Sequence, residues 1–155
     1  MRSISLDQLV EERLFALEDL FVQKELDIKK ELEPGIFIDG DRLLLAKALD
    51  NLLSNAAAYS PAGSLVHVRL WPEAGHGMLT LENTGIHIPD ADIPRLFEAF
   101  YRVDSSRNRM TGGSGLGLYI VNTILALHGG TADIANTAQG IEVSLCLPLH
   151  IIKQR

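Results

Sequence analysis

Alternation is the feature that most limits what this chain can fold into. In "SLVHVRLW" (64–71) and "GMLTLEN" (77–83) the apolar side chains recur at every second position. A period of two puts them on one face of a strand and the polar residues on the other. Pro72 to Gly77 separates the two runs and predicts a hairpin turn. "TADIAN" and "IEVSLCLPL" repeat the arrangement around a turn near Gln139 and Gly140. Helical periodicity fills the intervals. Leu6, Leu9, Val10, Leu14, Leu17 and Phe21 share one face of a helix over 6–22. "GDRLLLAKALDNLLSNAAAYSP" predicts a helix of ~18 residues, capped by Asp41 and stopped at Pro61. "SGLGLYIVNTILALHGG" predicts a third helix, ended by Gly129 and Gly130. Between the first two helices, "ELDIKKELE" and "IFID" predict strands about a turn at Pro34 and Gly35. Hairpins between helices, rather than βαβ crossovers, predict an α+β sandwich with a largely antiparallel sheet and helices on one face.

The chain has 155 residues, which suits one domain with one core, and 46% of them are hydrophobic. No run reaches the ~18 apolar residues of a membrane span. Met1 to Val10 carries one Arg and an alternating pattern, unlike a signal peptide. The net charge of −6 argues against a general nucleic-acid binder. The single cysteine, Cys146, has no internal disulfide partner, and no Cys/His cluster has zinc spacing. A buried strand thiol is its ordinary reading, and a reducing cytoplasm fits.

Residues 84–114 have neither period. They hold Gly, Pro, Arg and polar residues around one amphipathic patch, "IPRLFEAFYRV". A long irregular stretch inside a compact domain is usually functional. It ends in "TGGSGLGLYIV" (111–121), whose clustered glycines feed a helix start. Such a loop can aim backbone N–H groups at phosphate, or it can be a tight structural turn. It is not a P-loop, because no lysine follows the glycines. It is not a dinucleotide fingerprint, because a loop and not a strand precedes it. Arg102, Arg107 and Arg109 face only Asp104 in residues 102–109. That local positive excess suits a triphosphate, or an ordinary solvated loop. On the long helix, Asn51, Asn55 and Tyr59 fall at i, i+4 and i+8, opposite an inward stripe of Leu44, Leu45, Ala48, Leu49, Leu52 and Ala56. An amide oxygen can bind Mg²⁺ and a tyrosine can stack on a purine; an exposed polar face is the plain alternative.

Together these stretches resemble the ATP-binding catalytic domain of sensor histidine kinases, in the superfamily that includes gyrase, Hsp90 and MutL. The resemblance runs from about Leu6 to Leu149. "DNLLSNAAAYSP" (50–61) resembles the N box, "ENTGIHIP" (82–89) the first glycine box, "LFEAFYRVD" (96–104) the F box and "TGGSGLGLYIV" the second glycine box. It implies the Bergerat fold, a two-layer α/β sandwich with a mixed, mostly antiparallel sheet and a flexible ATP lid over about 88–112. It also implies roles, with Asn51 on the same nucleotide-facing side as Asn55. Asn55 would coordinate Mg²⁺ bridging the ATP phosphates, and Tyr59 would lie against adenine. Asn83 stands where an aspartate recognises the adenine amino group, and Gly85 would let the base lie close. Phe97 and Phe100 would anchor the lid, and Arg102 or Arg107 would reach the γ-phosphate. Gly113, Gly115 and Gly117 would let the backbone wrap the phosphates, with Leu116 and Leu118 beside them facing core or nucleotide.

Three positions depart from the family pattern. Ala58 replaces the basic residue usual before the tyrosine, Asn83 replaces the acid, and His87 replaces a glycine, which implies a stiffer loop. "NAAAYS" and the Asn-Thr-Gly box resemble vancomycin-resistance sensor kinases. In ATP-hydrolysing relatives a glutamate lies four residues before the magnesium asparagine; here it is Asn51, which cannot take a proton from water. Asp50 is expected on another, solvent-exposed face. Phosphoryl transfer to a protein group is therefore expected, rather than hydrolysis.

None of His67, His76, His87, His128 and His150 lies in the family's phosphoacceptor pattern. The resemblance thus implies a C-terminal piece of a longer sensor. Its partners would be the dimerisation domain carrying the acceptor histidine and a response regulator, with no nucleic acid and no direct membrane contact by this domain. The intact sensor would sit in the cell membrane with this domain on the cytoplasmic side. Three rivals remain at this point: a stand-alone serine kinase and anti-sigma factor, a non-catalytic nucleotide-gated interaction module, and an ATPase.

Overall fold

The computed structural model describes residues 2–98 and 117–151. Its elements run β1 (Arg2–Ser5), α1 (Leu6–Ala16), α2 (Glu18–Gln23), β2 (Asp27–Leu32), β3 (Phe37–Gly40), α3 (Arg42–Tyr59), β4 (Leu65–Glu73), β5 (His76–Thr84), a 3-10 turn (Ile93–Arg95), α4 (Gly117–Leu127), β6 (Thr131–Asn136) and β7 (Gly140–Pro148). Five strands form one mixed sheet in the order β2-β4-β5-β7-β6. Only β2 and β4 pair in parallel; the other neighbours are antiparallel.

The alternation predicted both hairpins. Val66, Val68 and Leu70 on β4, Leu79 and Leu81 on β5, and Leu145 and Leu147 on β7 are buried in one cluster. Leu45, Leu49 and Leu52 of α3 and Val121, Ile124 and Leu125 of α4 complete it. Each fully buried Leu or Val contributes about 1.5–3 kcal/mol, so the helices are held on that sheet face by burial. The turn between β4 and β5 is only Ala74 and Gly75, both at positive φ (49° and 82°). That backbone matches the twist of a two-residue hairpin. Asp41 caps α3, its Oδ1 accepting from Leu44 N–H at 3.1 Å.

Four expectations need correction. The first helix is two, broken at Leu17 (φ −104°, ψ 10°), where Leu20 N–H bonds back to Leu17 O at 3.0 Å. Both pieces keep the expected apolar face, since Leu6, Leu9, Val10, Leu14 and Phe21 are buried. Second, the strands on either side of Pro34–Gly35 do not form a hairpin. β3 pairs with β1, a strand the alternation of the first residues did not announce, in a separate two-stranded sheet. Third, β2 pairs in parallel with β4 across the intervening α3, and β5 pairs with β7 across α4 and β6, so only β4–β5 and β6–β7 are hairpins. Strand pairing is a long-range choice that period-two patterning does not encode. Fourth, Cys146 is half-buried rather than buried, because it lies on the β7 face opposite Leu145 and Leu147.

His128 fixes how α3 and α4 meet. Its Nδ1 bonds Ile124 O at 2.8 Å and its Nε2 accepts from Asp41 N–H at 3.0 Å, which defines a neutral Nδ1–H tautomer. The helix end that carries it closes with Gly129 at φ 71° and Gly130 N–H on Leu125 O at 2.8 Å.

Candidate functional site

The C-terminal half of α3, the N-terminus of α4 and the end of β5 carry most of the described site residues. On α3, Asn51 and Asn55 are half-buried and Tyr59 is exposed at 37%, while Ala48, Leu52 and Ala56 are buried behind them. The helical face read from the sequence is thus the observed one. Asn51 Nδ2 donates to Lys47 O at 3.0 Å, which ties one amide N–H to its own helix. Asn55 lies against the first turn of α4. A Cβ added to Gly117 would stand 2.8 Å from Asn55 Nδ2 and 3.2 Å from Oδ1. Glycine at 117 is what allows the amide to rest on the helix start, where backbone N–H groups have no intrahelical partner. Leu118 is half-buried and packs against the core.

Asn83 ends the inner row of β5, in line with Leu79 and Leu81. It is 8% exposed, and its Oδ1 has no hydrogen-bond partner among the described residues. A buried amide oxygen left alone costs about 1–3 kcal/mol, so this one needs an explanation. Ser60 Oγ is likewise buried and unpartnered. Gly85 follows at φ 81°, and a Cβ there would touch Pro61 at 3.4 Å. His87, expected to stiffen this loop, bonds Thr137 O through Nε2 at 3.0 Å.

Phe97 is half-buried and Leu96 buried just beyond the 3-10 turn. Phe100, Arg102, Arg107, Gly113, Gly115 and Leu116 lie outside the described residues, as does most of the expected lid.

The acids near the site are accounted for. Asp50, expected to be solvent-exposed, is instead half-buried and held by Arg13 of α1, Nε to Oδ1 at 2.7 Å and Nη2 to Oδ2 at 3.0 Å. The hydrogen bond to Asp50 raises the Arg13 pKa against the opposing effect of burial. Glu82 lies on the sheet face opposite Asn83, in register with His67 and Glu142. Among the described residues no group of three or more His, Cys, Asp or Glu could hold a metal ion. An Asn55 amide oxygen with phosphate and water oxygens would meet the preference of Mg²⁺ for hard ligands instead.

Two further residues shape the site and were not read from the sequence. Lys24 Nζ donates to Ala58 O at 2.8 Å and Ser60 O at 2.7 Å, the carbonyls on either side of Tyr59. A cation there satisfies the open end of α3 and opposes its dipole. Burial lowers the Lys24 pKa. Asn136 holds the segment just after β5: its Oδ1 accepts from Ile88 N–H at 3.0 Å, and its Nδ2 donates to Ile88 O at 2.7 Å and Asp90 Oδ1 at 3.1 Å. Both contacts span more than thirty residues of sequence, where no local pattern announces them.

The family model described as histidine kinase-, DNA gyrase B-, and HSP90-like ATPase matches residues 40–151. The sensor histidine kinase CusS of Escherichia coli K12 is 43% identical over 111 residues, covering 72% of this chain and 23% of CusS. The sensor-like histidine kinase SenX3 of Mycobacterium tuberculosis H37Rv is 36% identical over 152 residues, covering 97% of this chain and 37% of SenX3. The chain therefore spans well under half the length of either relative. The solved structure of the mycobacterial sensor histidine kinase MprB superposes with a TM-score of 0.80 at 29% identity, covering 97% of this chain and 99% of that one.

Proposed function

The chain belongs to the histidine kinase-, DNA gyrase B- and HSP90-like ATPases and is the ATP-binding catalytic domain of a sensor histidine kinase; from that premise we propose that it presents Mg-ATP to a histidine on a separate dimerisation domain, from which the phosphoryl group passes to a response regulator. The observation that carries the nucleotide site is the buried, unpartnered Oδ1 of Asn83. An exocyclic amino group is the donor that oxygen lacks, and adenine has one. Tyr59, exposed at the end of α3, supplies an aromatic surface for the base. Gly85 supplies the close approach that a side chain would obstruct.

At the other end of the ligand, Asn55 is the proposed Mg²⁺ ligand. The metal would neutralise charge developing on the phosphates. Gly113, Gly115, Leu116, Gly117 and Leu118 form the proposed cradle, with Arg102 and Arg107 as the proposed γ-phosphate contacts. Positioning and charge stabilisation are what this transfer chiefly requires. Water activation is not supplied by the described residues near α3: Asn51 has no carboxylate, and Asp50 is tied to Arg13. That supports transfer to a protein group over hydrolysis. "NAAAYS" and Asn83-Thr84-Gly85 support a sensor of the vancomycin-resistance type. No described helix is long and apolar enough to cross a membrane. The proposed setting is the cytoplasmic side of the cell membrane, with the membrane contact made elsewhere in the sensor.

Calorimetric titration with ATP, with and without Mg²⁺, tests the site. Saturable Mg²⁺-dependent binding, lost in Asn55→Ala, is expected. A folded chain that binds no ATP at millimolar concentration would overturn the reading and favour a non-catalytic interaction module. Adding back a dimerisation domain with its histidine should yield phosphohistidine. Multiple-turnover phosphate release by this chain alone would point to an ATPase instead.

A further inference from the structure

We propose that Asn83 makes the base pocket tolerant of 6-oxopurine nucleotides as well as adenine, an inference that rests on the nucleotide site above. The two asparagine amides bordering this region contrast. Asn136 is locked, because its oxygen accepts from Ile88 N–H while its nitrogen donates to Ile88 O and Asp90. Exchanging its two ends would set acceptor against acceptor and donor against donor. Asn83 is not locked. Its Oδ1 is buried without a partner, and its side chain makes no hydrogen bond to another described residue. No described neighbour therefore dictates which end of the amide meets a ligand.

The chemistry of the edge follows. Adenine presents a 6-amino donor beside the N1 acceptor. An amide meets it with oxygen on the amino group and NH₂ on N1. Hypoxanthine presents the reverse, an O6 acceptor beside an N1–H donor. The same amide meets that edge after a half-turn about its terminal bond, with NH₂ on O6 and oxygen accepting from N1–H. A carboxylate has no such second state. It only accepts, so it suits the 6-amino group and sets like charge against O6. The asparagine at 83 removes the feature that would exclude a 6-oxo base. Inosine triphosphate is the cleanest probe, because it reverses the edge without adding the 2-amino group of guanine.

Calorimetry with Mg-ATP and Mg-ITP on the wild-type chain and on Asn83→Asp tests this. The wild type should bind ITP within about tenfold of ATP, and Asn83→Asp should weaken ITP relative to ATP by a further tenfold or more, on the scale by which polar sites reject an unmatched edge. If the wild type binds ATP but disfavours ITP by more than about tenfold, the inference is overturned while the ATP site stands. An unchanged ATP/ITP ratio in a folded Asn83→Asp also overturns it. Should the variant not fold, the wild-type ratio alone decides. Binding of neither nucleotide removes the site and this inference together.

Discussion

Gly117→Ala separates stability from ligand binding in one substitution. Gly117 opens α4 and has no positive φ, so alanine fits its backbone. The exchange removes a flexible residue from a helix and should raise stability by up to about 1 kcal/mol. For a chain of this size that is a Tm increase of about 2–4 °C. The new methyl group, however, would stand 2.8 Å from Asn55 Nδ2, a distance real Cβ contacts do not show. The backbone beneath it is helical and the amide above is a short side chain, so the amide is what yields. Mg²⁺ demands near-ideal geometry from its ligands. Loss of one charge-assisted contact of about 1.5–3 kcal/mol predicts Mg-ATP binding weaker by roughly 10–100-fold. Thermal unfolding and calorimetric titration of the same preparation read both quantities. Binding within about threefold of wild type would refute the reasoning, because Asn55 would then be displaced without consequence. A fall in Tm alongside affinity would also refute it, by showing that the collision spreads beyond the amide.

Lys24→Met keeps the aliphatic stem but leaves Ala58 O and Ser60 O without their donor, and should cost about 1–3 kcal/mol in urea unfolding, with Lys24→Arg restoring part of it. Asn136→Ala should leave the core intact yet speed hydrogen exchange at the Ile88 amide and proteolysis near residues 88–90, because three hydrogen bonds to Ile88 and Asp90 disappear. At Glu31, desolvation pushes the carboxyl up, but the hydrogen bond and charge of Lys29 and the charge of His67 outweigh it and hold the group below its ordinary 4.5. The stability this contributes is present above pH 4.5 and lost as pH falls through the lowered folded value. Glu31→Gln should therefore flatten the acid limb of a stability–pH curve by slightly lowering stability above pH 4.5, while matching wild type at the acid end where Glu31 is already protonated.

The placement of several candidate site residues was legible because it is local. Asn51, Asn55 and Tyr59 share a face through helical spacing alone, and Asp41 and Pro61 bound that helix by cap and breaker chemistry. The β4–β5 and β6–β7 hairpins follow from alternation and turn residues, whereas the pairing expected about Pro34–Gly35 does not form. Asp50 was misread for the opposite reason: its partner, Arg13, lies 37 residues away on another helix. Lys24 and Asn136 were missed for the same reason, since each acts on a backbone carbonyl that any residue type would offer.

The sequence by itself determined most of the helices and strands, short of β1 and the break at Leu17, along with the face each one buries and the residue types at the family motifs. Short-range forces decide these, through side-chain periodicity, caps and turn conformations. Only the tertiary structure decided that β2 joins β4 across α3, that β3 leaves the main sheet for β1, and that Asn83 ends buried with an oxygen unpartnered. Those outcomes depend on which distant surfaces exclude water together, and burial is non-directional: it rewards any pairing that covers the apolar face, and the whole fold must close before one is selected.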